Sequence, residues 1–160
     1  MSPQVVSCYN TRHGVSMMTD KWGRRLFTTG AMVLVLLGLV HSLSLFQPMV
    51  PANDTERQLL NLMTNYKFNL MGSARSMSNL LRGFSISFML CALGLGVLDL
   101  VLARERAELL KRVALINAIW LAVMTANSLR YFFLLPTSFL AAGSLIFALA
   151  WLRLPADGTS

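Results

Sequence analysis

Six of the polar side chains inside the long apolar runs of this sequence or at their edges could do chemistry, and a polar group there is costly enough that its presence needs a reason. They are His41, Arg82, Ser85, Asp99, Asn117 and Arg130. Position sorts them into two sets. Asp99 and Asn117 lie nine residues either side of Glu108, so an antiparallel hairpin turning there brings both to one depth and predicts that they face each other inside a bundle. His41, Arg82, Ser85 and Arg130 fall toward the other ends of their runs. An imidazole, a hydroxyl and two guanidiniums together would suit an anionic or amphiphilic ligand.

Each set has a plainer reading beside the chemical one. A carboxylate at the centre of a membrane helix costs roughly 2.5–3.5 kcal/mol. Asp99 stands only about four residues from the end of its run, about 6 Å at roughly 1.5 Å per residue, within range of Arg104, Arg106 or Lys111. Three readings therefore compete: an acid held by a basic loop, a helix–helix hydrogen bond to Asn117, or a group that handles a proton or ligand. His41 shares a helical face with Ala31, Leu34, Gly38 and Leu45, which points it inward. There it is either a neutral ring bonded to a nearby serine or carbonyl, or a titrating or ligand-contacting group. Interfacial arginines commonly do no more than reach up to headgroups.

No cofactor is indicated. Haem ligation by two histidines fails because His13, the other histidine, lies in the N-terminal segment. Metal binding lacks a second ligand at suitable spacing. Cys8 and Cys91 stand alone without a Cys-x-x-Cys pair, which removes thiol-redox and zinc-ribbon chemistry. The ten methionines read as adaptable packing.

The elements that must position these residues follow from composition. Apolar residues make up 55% of the 160-residue chain and charged residues 13%, with mean hydropathy +0.57; soluble domains carry about 25% charged residues. Four apolar runs cover 26–46, 83–103, 113–129 and 131–152, and Asp99 is the only charged side chain well inside one. The fold class is all-α: a polytopic membrane protein whose four transmembrane helices, about 24–47, 76–104, 110–130 and 136–153, form a bundle within a membrane domain of residues 21–154. Residues 1–20 read as a disordered tail and 155–160 as a short C-terminal one. The basic border before the first run also suits a signal peptide, but about 21 apolar residues exceed a typical signal core of about 7–15, so a retained helix is expected.

Pro48 and Pro51 stop that helix. Residues 54–66 then read as a short amphipathic helix in the first extramembrane loop, with Leu59, Leu60, Leu62, Met63 and Tyr66 on its apolar side. Thr55 with Gln58 offers one capping box and Asn53 with Glu56 another. Ser73 or Ser76 would cap a second long helix that starts outside the membrane, with Arg75, Asn79 and Arg82 along one side. Helices in lipid associate through small and polar residues. Ala114, Ala118, Ala122 and Ala126 form such a row, as do Ala31, Gly38 and Ser42, and Ser85, Ala92, Gly96 and Ala103.

The net charge of +7 would suggest nucleic acid in a soluble protein. Here basic residues flank membrane segments and set their orientation, and nucleic-acid binding is not expected. With the N-terminus inside, Arg12, Lys21, Arg24, Arg25, Arg104, Arg106, Lys111, Arg112 and Arg153 lie on the inner side, against Arg57, Lys67, Arg75, Arg82 and Arg130 outside. Both termini are thus expected in the cytoplasm, with the chain in a plasma (inner) membrane.

The stretch RSMSNLLRGFSISF and the NSLRYFFLLP turn, with His41, the FNLMGSARS approach and Pro136, resemble a bacterial family of small four-helix membrane proteins named after a Leptospira locus tag. The resemblance covers residues 25–153 and implies the four-helix fold. The family has no established activity, so it implies no reaction. Its pattern carries an acid near the position of Asn79, from which this chain departs. The function expected is non-enzymatic: a small-ligand- or lipid-binding protein or an accessory subunit. Its partners would be membrane lipids, a small hydrophobic or amphiphilic ligand, and a second copy or another membrane protein. An integral-membrane enzyme acting on a lipid, sterol or quinone-like substrate, or an oligomeric small transporter, are the alternatives.

Overall fold

The computed structural model describes residues 3–155, with side chains from Asp20 onward. Its elements are helix α1 (Pro3–Ser44), α2 (Asp54–Asn65), strands β1 (Lys67–Leu70) and β2 (Ser73–Ser76), and helices α3 (Met77–Leu102), α4 (Ala107–Tyr131) and α5 (Leu134–Arg153). Four stretches are long and apolar enough to cross a membrane: Asp20–Ser44, Met77–Leu102, Ala107–Tyr131 and Leu134–Arg153. Twenty helical residues span about 30 Å, the thickness of a bilayer's hydrocarbon core. The fold is all-α apart from one small hairpin. Its outer side chains are those of a lipid-facing surface: Val101, Ile116, Val123 and Leu145 are each more than 60% exposed.

Two boundaries differ from expectation. Helical backbone begins at Pro3 rather than near residue 24, so most of the segment read as a disordered tail is helical. Pro3 stands in the first turn, where its missing N–H has no helical partner to lose, and no further proline interrupts before Pro48. Beyond Pro155 the expected C-terminal tail lies outside the described residues.

The chain divides into two compact units, Met1–Leu36 with Gly94–Ser160, and Leu37–Leu93. In the first, three of the long helices supply the buried apolar side chains of one core. Phe27, Ala31 and Leu34 come from α1, Leu110, Ala114, Ala118 and Leu121 from α4, and Leu140, Phe147 and Ala150 from α5. Phe27 meets Phe147 edge-on, with ring centroids 5.4 Å apart. Close backbone approach replaces the hydrophobic driving force that lipid removes: a Cβ on Gly96 of α3 would stand 2.9 Å from the Val35 nitrogen and 3.0 Å from the Ala31 carbonyl oxygen of α1.

Polar bonds tie the turns. Ser128 and Thr137 share a hydroxyl–hydroxyl bond of 2.7 Å between α4 and α5. Ser144 Oγ donates to the Ala118 carbonyl at 2.9 Å. Arg24 donates to the Ala103 and Glu105 carbonyls at 3.4 and 2.7 Å, satisfying acceptors that the end of α3 leaves open. Lys111 Nζ does the same for Leu154 at 2.9 Å.

The alanine row of α4 is only half inward. Ala114 and Ala118 are buried, but Ala122 and Ala126 are exposed, because a four-residue step drifts about 40° per step on a helix of roughly 3.6 residues per turn. The core face instead runs Leu110, Ala114, Asn117, Ala118, Leu121, Ser128.

In the second unit α1 ends against α3, with Gly38 pressed on Leu93. Helix α2 uses the Asn53 register: Asn53 Oδ1 accepts from the Glu56 N–H at 2.8 Å, and Glu56 Oε2 accepts from the Ala52 N–H at 2.7 Å. Starting there puts Asp54 and Glu56 in the first turn, where the helix dipole favours acids. No residue of α2 is buried, and Leu59 and Leu62 are 55% and 63% exposed. Asn53→Ala should cost about 1 kcal/mol of local helix stability, read as faster amide exchange over 54–60 with α3 unaffected.

The second departure is the hairpin. Residues 73–76 form a strand rather than an extension of α3, pairing Phe68 with Arg75 and Leu70 with Ser73. Met71 and Gly72 at the turn have φ of 50° and 88°, the left-handed pair that a two-residue hairpin loop needs. Asn69 Oδ1 accepts from the Gly72 N–H at 3.0 Å. Ser76 is then the cap of α3, its Oγ accepting from the Asn79 N–H at 3.3 Å.

Candidate functional site

Two places gather the polar residues, one in each unit. In the first unit, the turn between α3 and α4 sets Asp99 opposite Asn117, and Asn117 Nδ2 donates to Asp99 Oδ2 at 2.7 Å. Asp99 is 1% exposed and Asn117 4%. Asp99 Oδ1 is buried and has no hydrogen-bond partner among the described residues. The carboxyl is thus half satisfied, and its one side-chain bond joins two membrane-crossing helices. None of Arg104, Arg106 and Lys111 forms an ion pair with it, and Lys111 is turned to Leu154. That sets aside the basic-loop reading of Asp99 in favour of the helix–helix contact.

In the second unit, a groove of about 540 Å³ runs along the start of α3, with Arg75, Asn79, Arg82 and Ser87 as its polar members and Phe84 and Ile86 among its apolar ones. The hairpin supplies Arg75. The helix supplies the rest, and of these Asn79, Arg82 and Ile86 share one face by steps of three and four. Gly83 lies in this groove, and a Cβ there would meet nothing within 4 Å. The Arg75 and Arg82 side chains form no hydrogen bond or ion pair among the described residues. Between Glu56 and Asp99 the sequence has Arg57, Lys67, Arg75 and Arg82 and no acid, so the hairpin and the start of α3 carry basic residues alone.

The four residues expected in an outer cleft are distributed as follows. Arg82 lines the groove. Ser85 is half-buried on α3 and is not among the lining residues. His41 is half-buried with its ring edge-on to Phe88 at 5.0 Å. Its Nε2 is buried without a partner among the described residues, and the serine hydroxyls nearest in sequence bond to backbone: Ser42 donates to the Leu39 carbonyl and Ser44 to that of His41. Arg130 belongs to the other unit, its guanidinium 5.8 Å from the Tyr131 ring centroid. Arg75, Asn79 and Ser87 were not singled out as ligand contacts by residue type. The signal for the first two is their shared side with Arg82, which survives even though Arg75 is on a strand.

A further hollow of about 340 Å³ in the first unit lies among Trp22, Leu26, Leu149 and Arg153, residue types that anchor helices at membrane interfaces. Among the described residues no three His, Cys, Asp or Glu side chains gather where they could hold a metal ion. No family model, curated protein or solved structure matches the chain.

Proposed function

We propose that the protein is a non-enzymatic membrane protein that binds a small amphiphile in the groove at the start of α3. The observation that carries this is the pair of unpartnered guanidiniums, Arg75 and Arg82, set beside the exposed Phe84 ring in one recess. Charge at one end and apolar surface at the other is the pattern an amphiphile requires. His41 and Ser85 belong to the same unit and border the helix that carries the groove, and Arg130 is the remaining member of the basic outer set.

The orientation proposed places this groove on the outer side of a bacterial plasma membrane with both termini cytoplasmic. Its support is the nine-to-five division of basic residues, with four of the nine between Arg104 and Arg112, since short loops carry the positive-inside bias. An accessory-subunit role, with a second copy or another membrane protein as partner, has one specific support: α2 leaves Leu59 and Leu62 uncovered by this chain.

The test is a native mass spectrum of the intact chain purified in mild detergent. A lipid-sized adduct is expected on the wild type. It should be lost from Gly83→Leu, whose side chain would occupy the groove without meeting a neighbour at Cβ. Bare protein in the wild-type spectrum, or an adduct unchanged by Gly83→Leu, would contradict the proposal.

A further inference from the structure

We infer that the groove selects an anionic phospholipid, its phosphate held between Arg75 and Arg82 and its acyl chain lying along Ile86 and Leu90. This rests on the amphiphile-binding reading above and goes beyond it by assigning the headgroup chemistry.

Charge is the first argument. A guanidinium presents a planar fork of donors matched to phosphate oxygens. Here two forks border one recess, neither is engaged by a carboxylate among the described residues, and the 43 residues from Arg57 to Asp99 hold no acid until the last. The Asn79 side chain adds an amide donor on the same face. A zwitterionic headgroup brings its own cation into this field, so it gains less than a headgroup with net negative charge.

Depth is the second. From Arg82 to Ile86 the helix rises about 6 Å, at roughly 1.5 Å per residue, passing from the basic rim to apolar surface. Ile86 is 36% exposed and Leu90, a turn further along α3 on the same face, is 58% exposed. Those side chains lie within a membrane-crossing stretch. The recess therefore continues into surface that acyl chains cover, so a ligand enters it from the bilayer. A soluble anion would satisfy the arginines but leave the apolar end unmatched.

The experiment titrates delipidated full-length protein in detergent with phosphatidylglycerol or phosphatidylcholine and reads bound lipid by native mass spectrometry. The wild type should bind phosphatidylglycerol about tenfold more tightly, the scale of one charge-assisted hydrogen bond. That preference should shrink as salt rises, because rim charges are screened. Arg75→Gln with Arg82→Gln should bring the two lipids level, while Arg104→Gln with Arg106→Gln, the same charge loss elsewhere, should leave the preference intact. Both arginines of the first pair are exposed, and unchanged circular dichroism would verify that the variants fold. Gly83→Leu should reduce binding of both lipids.

Equal binding of the two lipids by the wild type, with loss in Gly83→Leu, would overturn the headgroup assignment and leave the amphiphile reading standing. Binding of neither lipid would overturn both. A preference that persists in the Arg75/Arg82 pair would remove it from this groove. Displacement of phosphatidylglycerol by millimolar inorganic phosphate would identify a free-anion site and also overturn the inference.

Discussion

Asn117→Leu is expected to be among the most damaging single substitutions in the protein. It deletes the only side-chain hydrogen bond that Asp99 receives among the described residues and strands a carboxyl that is 1% exposed and whose other oxygen already lacks a partner among them. An unsatisfied buried polar group costs about 1–3 kcal/mol, more when charged. Adding Asp99→Leu to the same chain should recover most of the loss, because removing both partners leaves nothing unsatisfied. Asp99→Asn alone keeps shape and an acceptor and should shift stability by less than about 1 kcal/mol. Thermal midpoints of the detergent-purified set, followed by far-ultraviolet circular dichroism, decide it. If the double variant proves no better than Asn117→Leu, the pair does not carry the energy assigned to it.

A comparison of Gly94→Ala with Gly96→Ala should give opposite signs two residues apart on α3. At Gly96 the new methyl would stand 2.9 and 3.0 Å from backbone atoms of α1, which no side-chain rotation relieves. The helices must separate, at the cost of overpacking, typically about 1–3 kcal/mol. At Gly94 a Cβ meets nothing within 4 Å, and alanine in a helix interior gains about 0.5–1 kcal/mol over glycine. The same thermal assay measures both. Equal midpoints for the two variants would show that α1 and α3 do not pack through backbone at this level.

The four crossings are legible because lipid imposes a length and an apolarity that few other pressures mimic. Expected boundaries of 76–104, 110–130 and 136–153 stand against Met77–Leu102, Ala107–Tyr131 and Leu134–Arg153. The level shared by Asp99 and Asn117 is also readable, since a short turn makes depth a matter of counting from its centre. The hairpin is not. Lys-Phe-Asn-Leu alternates polar and apolar residues, but it and Ser-Ala-Arg-Ser are only four residues each and hold no β-branched side chain, so the strand signal is too short to read; the turn residue Gly72 is a further cue. The groove is hidden for the same reason, since Arg75 reaches it from the strand. Two plausible caps for α2 are two residues apart in sequence, and only the first-turn acids separate them.

The contact of Phe27 with Phe147, and the lodging of Leu154 in the space that Gly23 leaves, join the first membrane crossing to the last. A chain leaves the ribosome from its N-terminus. The face of α1 that holds Gly23 and Phe27 must therefore wait in the bilayer, uncovered, through the synthesis of three more helices. The segment made first is the one whose partner arrives last, and until then that face is open to any neighbouring helix or insertion factor in the membrane.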